Sequence, residues 1–389
     1  MRKKFKNIKK YFAKNKKLYL VILGILVIFL ILGGSTLGGY FYFKHNQQKQ
    51  APQQTQKNIY IEFFSEIYDK IKENYWNKIS DEELSNLFKL AAQKLTNQPQ
   101  DLSSADKEGV SRMIIAITEK MDEDTKKEFS PQLAHLVLVN LKPFGRSALY
   151  VKKDEENLKN KVENVNPETG KVEPTVLGNL VRPNILHLYI SKMSPTTVED
   201  LKNETEKFDN VEGLNTLILD LRGNIGGSLD IIQYLLGPFI GPNRYAFELF
   251  QQGNYDPFKT KIGWLSSLVR YKRVIILADN NTQSSAEVML AALKEYNVGV
   301  AVGTKTKGWG TIEKVYELEN QINPDENYSL FLVNHLTLRD DNQPIEGAGI
   351  EPTIDINDPE WKNKLNEYFN YSELTETIKE IWNKTPGKP

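Results

Sequence analysis

From Asn184 onward, short apolar runs alternate with stretches of helical periodicity, and this alternation restricts the possible folds more than any other feature. Strands that alternate with helices of about 10–15 residues form βαβ units, whose strands pair in parallel. The strand-like runs are ILHLYIS, LNTLILDLR, RVIILAD and VGVAVG, and the helical patterns between them are TTVEDLKNETEKF, SLDIIQYLLGPFI and SAEVMLAALKEY. The sequence therefore predicts an α/β core.

Further patterns surround these βαβ units and make the expected class α/β (α+β). The runs KVYEL, YSLFLVNHLTL and PTIDI predict added strands, of which we expect the first two to pair antiparallel. EWKNKLNEYF and SELTETIKEIW predict short helices at the end of the chain. Ahead of the core, amphipathic stretches between residues 59 and 121 predict a helical subdomain for packing or dimerisation, in which Ser80 and Glu83 form a capping box. The charged segment KKDEENLKNKVENVNPETGKVEPTV is typical of a loop or a small excursion.

The segment from Leu18 to Phe43 contains no charged residue. A helix needs roughly 20 apolar residues to cross a bilayer, so this segment predicts a single transmembrane anchor. The lysine-rich stretch before it places the N-terminus in the cytoplasm, and the aromatic residues 40–43 form a belt at the opposite interface. A cleaved signal peptide ending near GGSTLGG is the alternative. Both interpretations place the residues after 45 outside the cytoplasm.

The predicted organisation has seven parts. They are a cytoplasmic basic tail (1–17), the transmembrane anchor (18–43), a polar linker (44–57), the helical subdomain (58–135), a connecting region (136–181), the core (182–358) and a helical C-terminal tail (359–389).

Composition excludes several classes of function. The chain has no cysteine, so disulfides and thiolate metal sites are absent, and its four histidines lack the spacing of a metal motif. We therefore expect no metal and no cofactor. Lys and Arg balance Asp and Glu at 50 each, but the first 17 residues carry nine of the basic residues and no acidic residue. The remainder is acidic, which argues against nucleic acid as a partner.

Two short motifs are suited to chemistry. DLRGNIGGS (220–228) follows an apolar strand, and a glycine pair there lets the backbone turn and present N–H groups; it matches no phosphate-binding pattern. TQSSAEV (282–288) places Ser284 and Ser285 at a helix start. Such a serine is either a simple N-cap or a nucleophile whose neighbouring N–H stabilises an oxyanion.

Together these motifs resemble those of the tail-specific, or carboxyl-terminal processing, serine proteases, whose core is ClpP/crotonase-like. LILDLRGNIGG is similar to the family's DLRxNPGG turn, and SSAEVMLAALKEYNVGVAVG to its SASE segment. QPIEGAGIEPTIDI resembles the closing IxGxGIxPD, and MDEDTKKEFSP the DPHTxYFSP of the N-terminal region. The matches keep the family's order.

The resemblance implies a role for each matching residue. Ser284 takes the position of the nucleophile, and Glu287 that of the glutamate of SASE. The oxyanion hole would use the backbone N–H of Ser285 and of Gly226. The family's base is a lysine in GKG, oriented by a glutamine four residues later. In this chain the segment reads GWGTIE, so Trp309 stands at the lysine position and Glu313 at the glutamine position.

This departure affects the chemistry directly. Indole offers an N–H donor and no acceptor, so Trp309 is unable to take the proton of a serine. Three other side chains are candidate substitutes: Lys307 on the same loop, His187 on a predicted strand, and Glu313 itself. The simpler interpretation of Lys307 is an exposed loop lysine. The simpler interpretation of His187 is a core or edge-strand histidine.

A second departure is the segment between Pro131 and Arg182, which is too short for the PDZ domain of the family and lacks a GLGF-like loop. Two hypotheses follow from the sequence. The protein is either a membrane-anchored serine peptidase that cleaves extended polypeptides through Ser284, or an inactive relative that binds them. A homodimer through the helical subdomain is compatible with both.

Overall fold

The computed structural model of the protein describes residues 58–339 and 341–387. The predicted basic tail, the membrane anchor and the polar linker up to residue 57 lie outside the described residues. Within residues 58–339 and 341–387, no helix is both long and apolar enough to cross a membrane.

Helices and strands follow one another in mixed order. The helices are α1 Ile59–Asn74, α2 Asp81–Thr96, α3 Lys107–Thr118, α4 Glu123–Val139, α5 Lys152–Val162, α6 Thr197–Glu206, α7 Ile232–Leu235, α8 Gly237–Ile240, α9 Ser266–Val269, α10 Ser285–Glu295, α11 Trp361–Phe369 and α12 Ser372–Trp382. The strands are β1 Ala148–Val151, β2 Val176–Arg182, β3 Ile185–Ile190, β4 Thr216–Asp220, β5 Tyr245–Gln251, β6 Asn254–Lys259, β7 Arg273–Ala278, β8 Val300–Gly303, β9 Thr311–Glu317, β10 Tyr328–Leu338 and β11 Ile354–Asp355.

The predicted parallel core is confirmed. One sheet has the order β11-β8-β7-β4-β3-β2, and its pairs are parallel except for β2, which runs antiparallel to β3. In its centre Leu219 lies between Leu188 and Ile276. All three side chains are fully buried in a core shared with helix α10. The opposite face is covered by α11 and α12. Apolar residues on both faces explain why these strands read as continuous apolar runs.

The second sheet is antiparallel, as expected for the runs KVYEL and YSLFLVNHLTL. Its order is β1-β10-β5-β6, and β9 pairs with β10 as well. One face packs against helices α1–α4, where the rings of Phe63 and Tyr328 lie edge to face with centroids 5.9 Å apart. The helical region and this sheet therefore share one hydrophobic core.

The N-terminal helices begin where their caps dictate. The Ser80 hydroxyl accepts a hydrogen bond from the N–H of Glu83 at 3.1 Å, which confirms the serine half of the predicted capping box. Helix α4 was not among the predicted helices. It begins after Asp122, whose carboxylate accepts from the N–H of Thr125 at 2.8 Å.

The structure differs from the sequence pattern at three places. The charged segment predicted as a loop contains helix α5. The acidic residues Asp154 and Glu155 lie in its first turn, where negative charge stabilises a helix. The predicted helix SLDIIQYLLGPFI is two short helices, α7 and α8. Gly237 is the first residue of the second helix, and a Cβ added to it would lie 2.2 Å from the carbonyl oxygen of Ile262. The hairpin β5–β6 was missed because NYDPFK has no apolar alternation.

The proposed domain boundaries stay predictions. The connecting region 136–181 contains the end of α4, strand β1, helix α5 and most of β2. Strand β1 adds to the antiparallel sheet at its edge, beside β10.

The shared core predicts a large effect of Leu330→Ala. Leu330 on β10 is fully buried among the N-terminal helices, so its truncation is expected to lower the free energy of unfolding by about 2–5 kcal/mol. Val315→Ala is the matched control, because Val315 on β9 is 36% exposed and its loss is expected to cost about 0.5 kcal/mol. Urea unfolding measures both. Equal effects of the two substitutions would contradict a core shared by the helices and this sheet.

Candidate active site

Ser284 lies in the sharp turn between strand β7 and helix α10. Its φ of 57° and ψ of −131° are unusual for a residue with a side chain. The glycine turn that follows β4 packs directly against it, since a Cβ added to Gly226 would lie 2.7 Å from the Cβ of Ser284. The two motifs that the sequence singled out therefore meet at one place.

Hydrogen bonds join the two turns at the carboxyl ends of β4 and β7, which are neighbours in the parallel sheet. The Asp279 carboxylate accepts from the N–H of Gly223 at 2.9 Å and from that of Thr282 at 3.0 Å. The N–H of Gln283 donates to the carbonyl oxygen of Asn224 at 2.9 Å. Clefts at the carboxyl ends of parallel strands are the usual binding sites of open α/β sheets.

The two N–H groups predicted for the oxyanion hole differ in their hydrogen bonding, and the oxyanion hole itself stays a prediction. The N–H of Gly226 donates to the side-chain oxygen of Asn224 at 2.9 Å, so it is occupied. Within the described part of the chain, the N–H groups of the next residue, Gly227, and of Ser285 donate to no acceptor. The N–H of Ser285 is thus available to a ligand, as the resemblance implies. The second available N–H is that of Gly227 and not that of Gly226.

The Glu287 carboxylate connects the nucleophile segment to the loop that follows β8. One oxygen accepts from the N–H of Ser284 at 2.9 Å and from that of Trp309 at 2.8 Å. The other accepts from the N–H of Gly308 at 2.7 Å and from the hydroxyl of Thr306. Burial raises the pKa of Glu287, and these four donors oppose that rise by stabilising the ionised form.

Trp309, at the position of the family lysine, is enclosed by polar groups. Its indole N–H donates to Oε1 of Glu313 at 3.3 Å. The guanidinium carbon of Arg146 lies 3.4 Å from the centre of the indole ring. Arg146 forms an ion pair with Glu346 at 3.1 Å, and Glu346 also accepts from the N–H of Gly310 at 2.8 Å. The indole is therefore fixed by its edge and one face.

Glu313, at the position of the family glutamine, is half-buried on β9. Its Oε1 accepts a second hydrogen bond from the hydroxyl of Thr311 at 2.5 Å. Burial raises the pKa of Glu313, and the hydrogen bonds from Thr311 and Trp309 and the charge of Arg146 oppose this only in part. No cation lies within ion-pair distance of this carboxyl among the described residues.

None of the three substitute bases is hydrogen-bonded to Ser284. His187 is buried on β3, where its Nε2 lies 3.0 Å from the carboxylate of Asp220, which also binds Arg222. Lys307 has an exposed side chain, and its backbone N–H donates to Thr282. Among the described residues, the Ser284 hydroxyl makes no hydrogen bond to another side chain. His187 is therefore a core histidine, as its simpler interpretation had it.

Sequence reasoning missed Arg146 and Glu346. Arg146 precedes β1 in the predicted connecting region, far along the chain from Trp309, and nothing in its local sequence signals the contact. Glu346 belongs to QPIEGAG, so it was inside a matching motif without being singled out.

Comparison with known proteins agrees with this geometry. Residues 184–356, which include Ser284, Glu287, Trp309 and Glu313, match the model of peptidase family S41. Residues 184–356 therefore form a domain of the S41 peptidase type. The resemblance to tail-specific proteases is thereby confirmed.

Relatives of the S41 family align along much of the chain. A probable CtpA-like serine protease of Staphylococcus epidermidis is 23% identical over 399 residues, which cover 92% of this chain and 77% of the relative. A probable CtpA-like serine protease of Staphylococcus aureus is 28% identical over 175 residues, or 45% of this chain and 34% of the relative. Among solved structures, the photosystem II D1 C-terminal processing protease is 12% identical with a TM-score of 0.49, covering 77% of this chain and 93% of that one.

The Glu287 bridge predicts that Glu287→Gln destabilises the S41 core. Glutamine keeps one acceptor oxygen, so two buried donors would face an amide NH₂, which is expected to cost about 2–5 kcal/mol of unfolding free energy. Glu351→Gln is the control, because Glu351 is exposed and pairs with Lys305 of the same loop at 2.8 Å. Its loss is expected to cost less than about 1 kcal/mol. An unchanged urea midpoint for Glu287→Gln would show that the bridge contributes no stability.

The raised pKa of Glu313 predicts a pH-dependent gain from Glu313→Gln. Above the ordinary pKa of glutamate, the unfolded chain ionises this carboxyl more readily than the folded protein, so wild-type stability falls as the pH rises through the raised value. The stability of the glutamine variant does not fall in this way, because its side chain has no proton to release. We expect it to unfold at a higher temperature than wild type at pH 8, with a difference that shrinks toward pH 4. Glu317→Gln, farther along β9 and exposed, should show no such trend.

Proposed function

We propose that this S41 protein binds extended polypeptides in its cleft and does not hydrolyse them. The observation that carries the proposal is Trp309 at the position of the general base. Its indole N–H already donates to Glu313, and its ring face is covered by Arg146. Without a group that accepts the serine proton, the hydroxyl of Ser284 is a poor nucleophile, and the loss of such a base lowers the rate by about 10⁴–10⁶.

Features of the cleft support binding. The free N–H groups of Gly227 and Ser285 are suited to a peptide carbonyl oxygen. Among the strands that the structure describes, β9, which follows the loop of Trp309, pairs with β10 alone and leaves its other edge unpaired. Extended polypeptides commonly bind proteins by adding a strand to such an edge.

Hydrolysis through Ser284 is the second candidate. The strained backbone of Ser284 favours it, because a φ of 57° is retained at a serine only where the surroundings enforce it, and such strain clusters at active sites. In this case Glu313 or Lys307 would have to approach the serine when a polypeptide binds.

The place of action is proposed from the sequence. The uncharged segment 18–43 would anchor the chain in the cell membrane as a single span, with the S41 domain outside the cytoplasm. Polypeptides outside the cytoplasm would then be the ligands. A homodimer through the helical subdomain is part of the same proposal.

Cleavage of an unfolded protein by the full-length chain in mild detergent tests the proposal. We expect no cleavage by wild type, and cleavage by the double variant Trp309→Lys/Glu313→Gln, which restores both family residues. Adding Ser284→Ala to the double variant should abolish that cleavage.

The opposite result would favour hydrolysis. If wild type cleaves the unfolded protein and Ser284→Ala does not, the binding-only proposal is wrong. In that case Lys307→Ala and Glu313→Gln identify which side chain acts as the base.

A further inference from the structure

Glu313 is a half-buried carboxyl without a cationic partner among the described residues. Both hydrogen bonds that it accepts from other side chains end on Oε1, from Trp309 and Thr311. Its Oε2 accepts none from the described side chains. Removing a carboxylate from water without pairing it is unfavourable, so such a group is unusual unless a ligand supplies the partner.

The one cation of this cluster is already committed. Arg146 pairs with Glu346 through contacts of 3.1 and 3.4 Å, and its guanidinium carbon lies over the indole ring of Trp309. Arg146 and Glu346 are both mostly buried, with side-chain exposures of 17% and 14%. The cluster thus contains one positive charge, on Arg146, and two carboxyls, on Glu313 and Glu346. When both carboxyls are ionised, its net charge is minus one.

An apolar surface leads to Glu313 along the antiparallel sheet. Glu313 and Val315 lie two residues apart on β9 and therefore on the same face of the strand. Val315 is opposite Phe331 on β10. The ring of Phe331 stacks on that of Tyr150 from β1, with centroids 4.6 Å apart and planes 4° from parallel. Val315 is exposed, and both rings are partly exposed. A side chain with a long apolar stem and a cationic end fits such a surface that ends in a carboxyl.

We propose that Glu313 selects a lysine or arginine side chain of the polypeptide that binds in the S41 cleft. The inference rests on the proposed polypeptide binding and adds a preference to it. The stem of the basic residue lies along Val315 and the stacked rings, and its charged end donates to Oε2 of Glu313. A glutamine at this position, as in the family pattern, would offer the same shape without the charge.

Fluorescence anisotropy with two labelled peptides tests this inference on the full-length protein in mild detergent. The peptides are unstructured and identical except for one central residue, which is lysine in one and its uncharged counterpart norleucine in the other. Wild type is expected to bind the lysine peptide about tenfold more tightly, the size of a hydrogen bond to a charged group. In Glu313→Gln the ratio of the two dissociation constants should fall to about one.

Glu317→Gln is the matched control, because it removes a carboxyl from the same face of β9 two positions beyond Val315, where the side chain is exposed. It should keep the tenfold ratio. Equal binding of both peptides by wild type, or a ratio that survives Glu313→Gln, would overturn the inference and leave polypeptide binding intact. Binding of neither peptide would refute the proposed function, and the preference with it.

Discussion

The arrangement of the site depends on one buried carboxylate. Glu287 accepts hydrogen bonds from the N–H of Ser284 and from the loop that carries Trp309, so a single side chain sets the position of the nucleophile turn relative to the base loop. Three of its four donors are backbone N–H groups, which keep their places whatever side chains those residues carry. The position of the loop therefore does not depend on which side chain stands at residue 309.

The surroundings of residue 309 also suit the indole that stands there. At position 309 the indole fills the space with an aromatic ring, and Arg146 covers one face of it from the segment before β1. The ion pair of Arg146 with Glu346 then ties this segment to the closing loop of the S41 domain. The substitution is thus part of a connected cluster rather than an isolated change, as expected when a side chain is stabilised by its new neighbours.

The sequence was informative where local pattern decides the structure. The apolar runs around Leu219 and Ile276 predicted the parallel sheet because both faces are buried, and the positions of Ser284 and Trp309 followed from motif spacing. Helix α5 and the division at Gly237 were not predicted, because each depends on tertiary contacts that periodicity does not contain. Two contacts were not predictable for the same reason. The hydrogen bond from the N–H of Gly226 to Asn224 and the contact of Arg146 with the ring of Trp309 both depend on the positions of side chains in the folded protein.

Glu313 shows why the altered site is better described as a changed specificity than as a simple loss. A vestigial position would be expected to drift toward residues that cost the folded protein little, such as glutamine or an apolar side chain. A half-buried carboxyl with a raised pKa and no ion-pair partner among the described residues is instead unfavourable for folding. Proteins keep such locally unfavourable groups mainly at functional sites, where a ligand compensates for them. A basic side chain in the cleft supplies that compensation, because its charge stabilises the ionised form of Glu313 that burial disfavours.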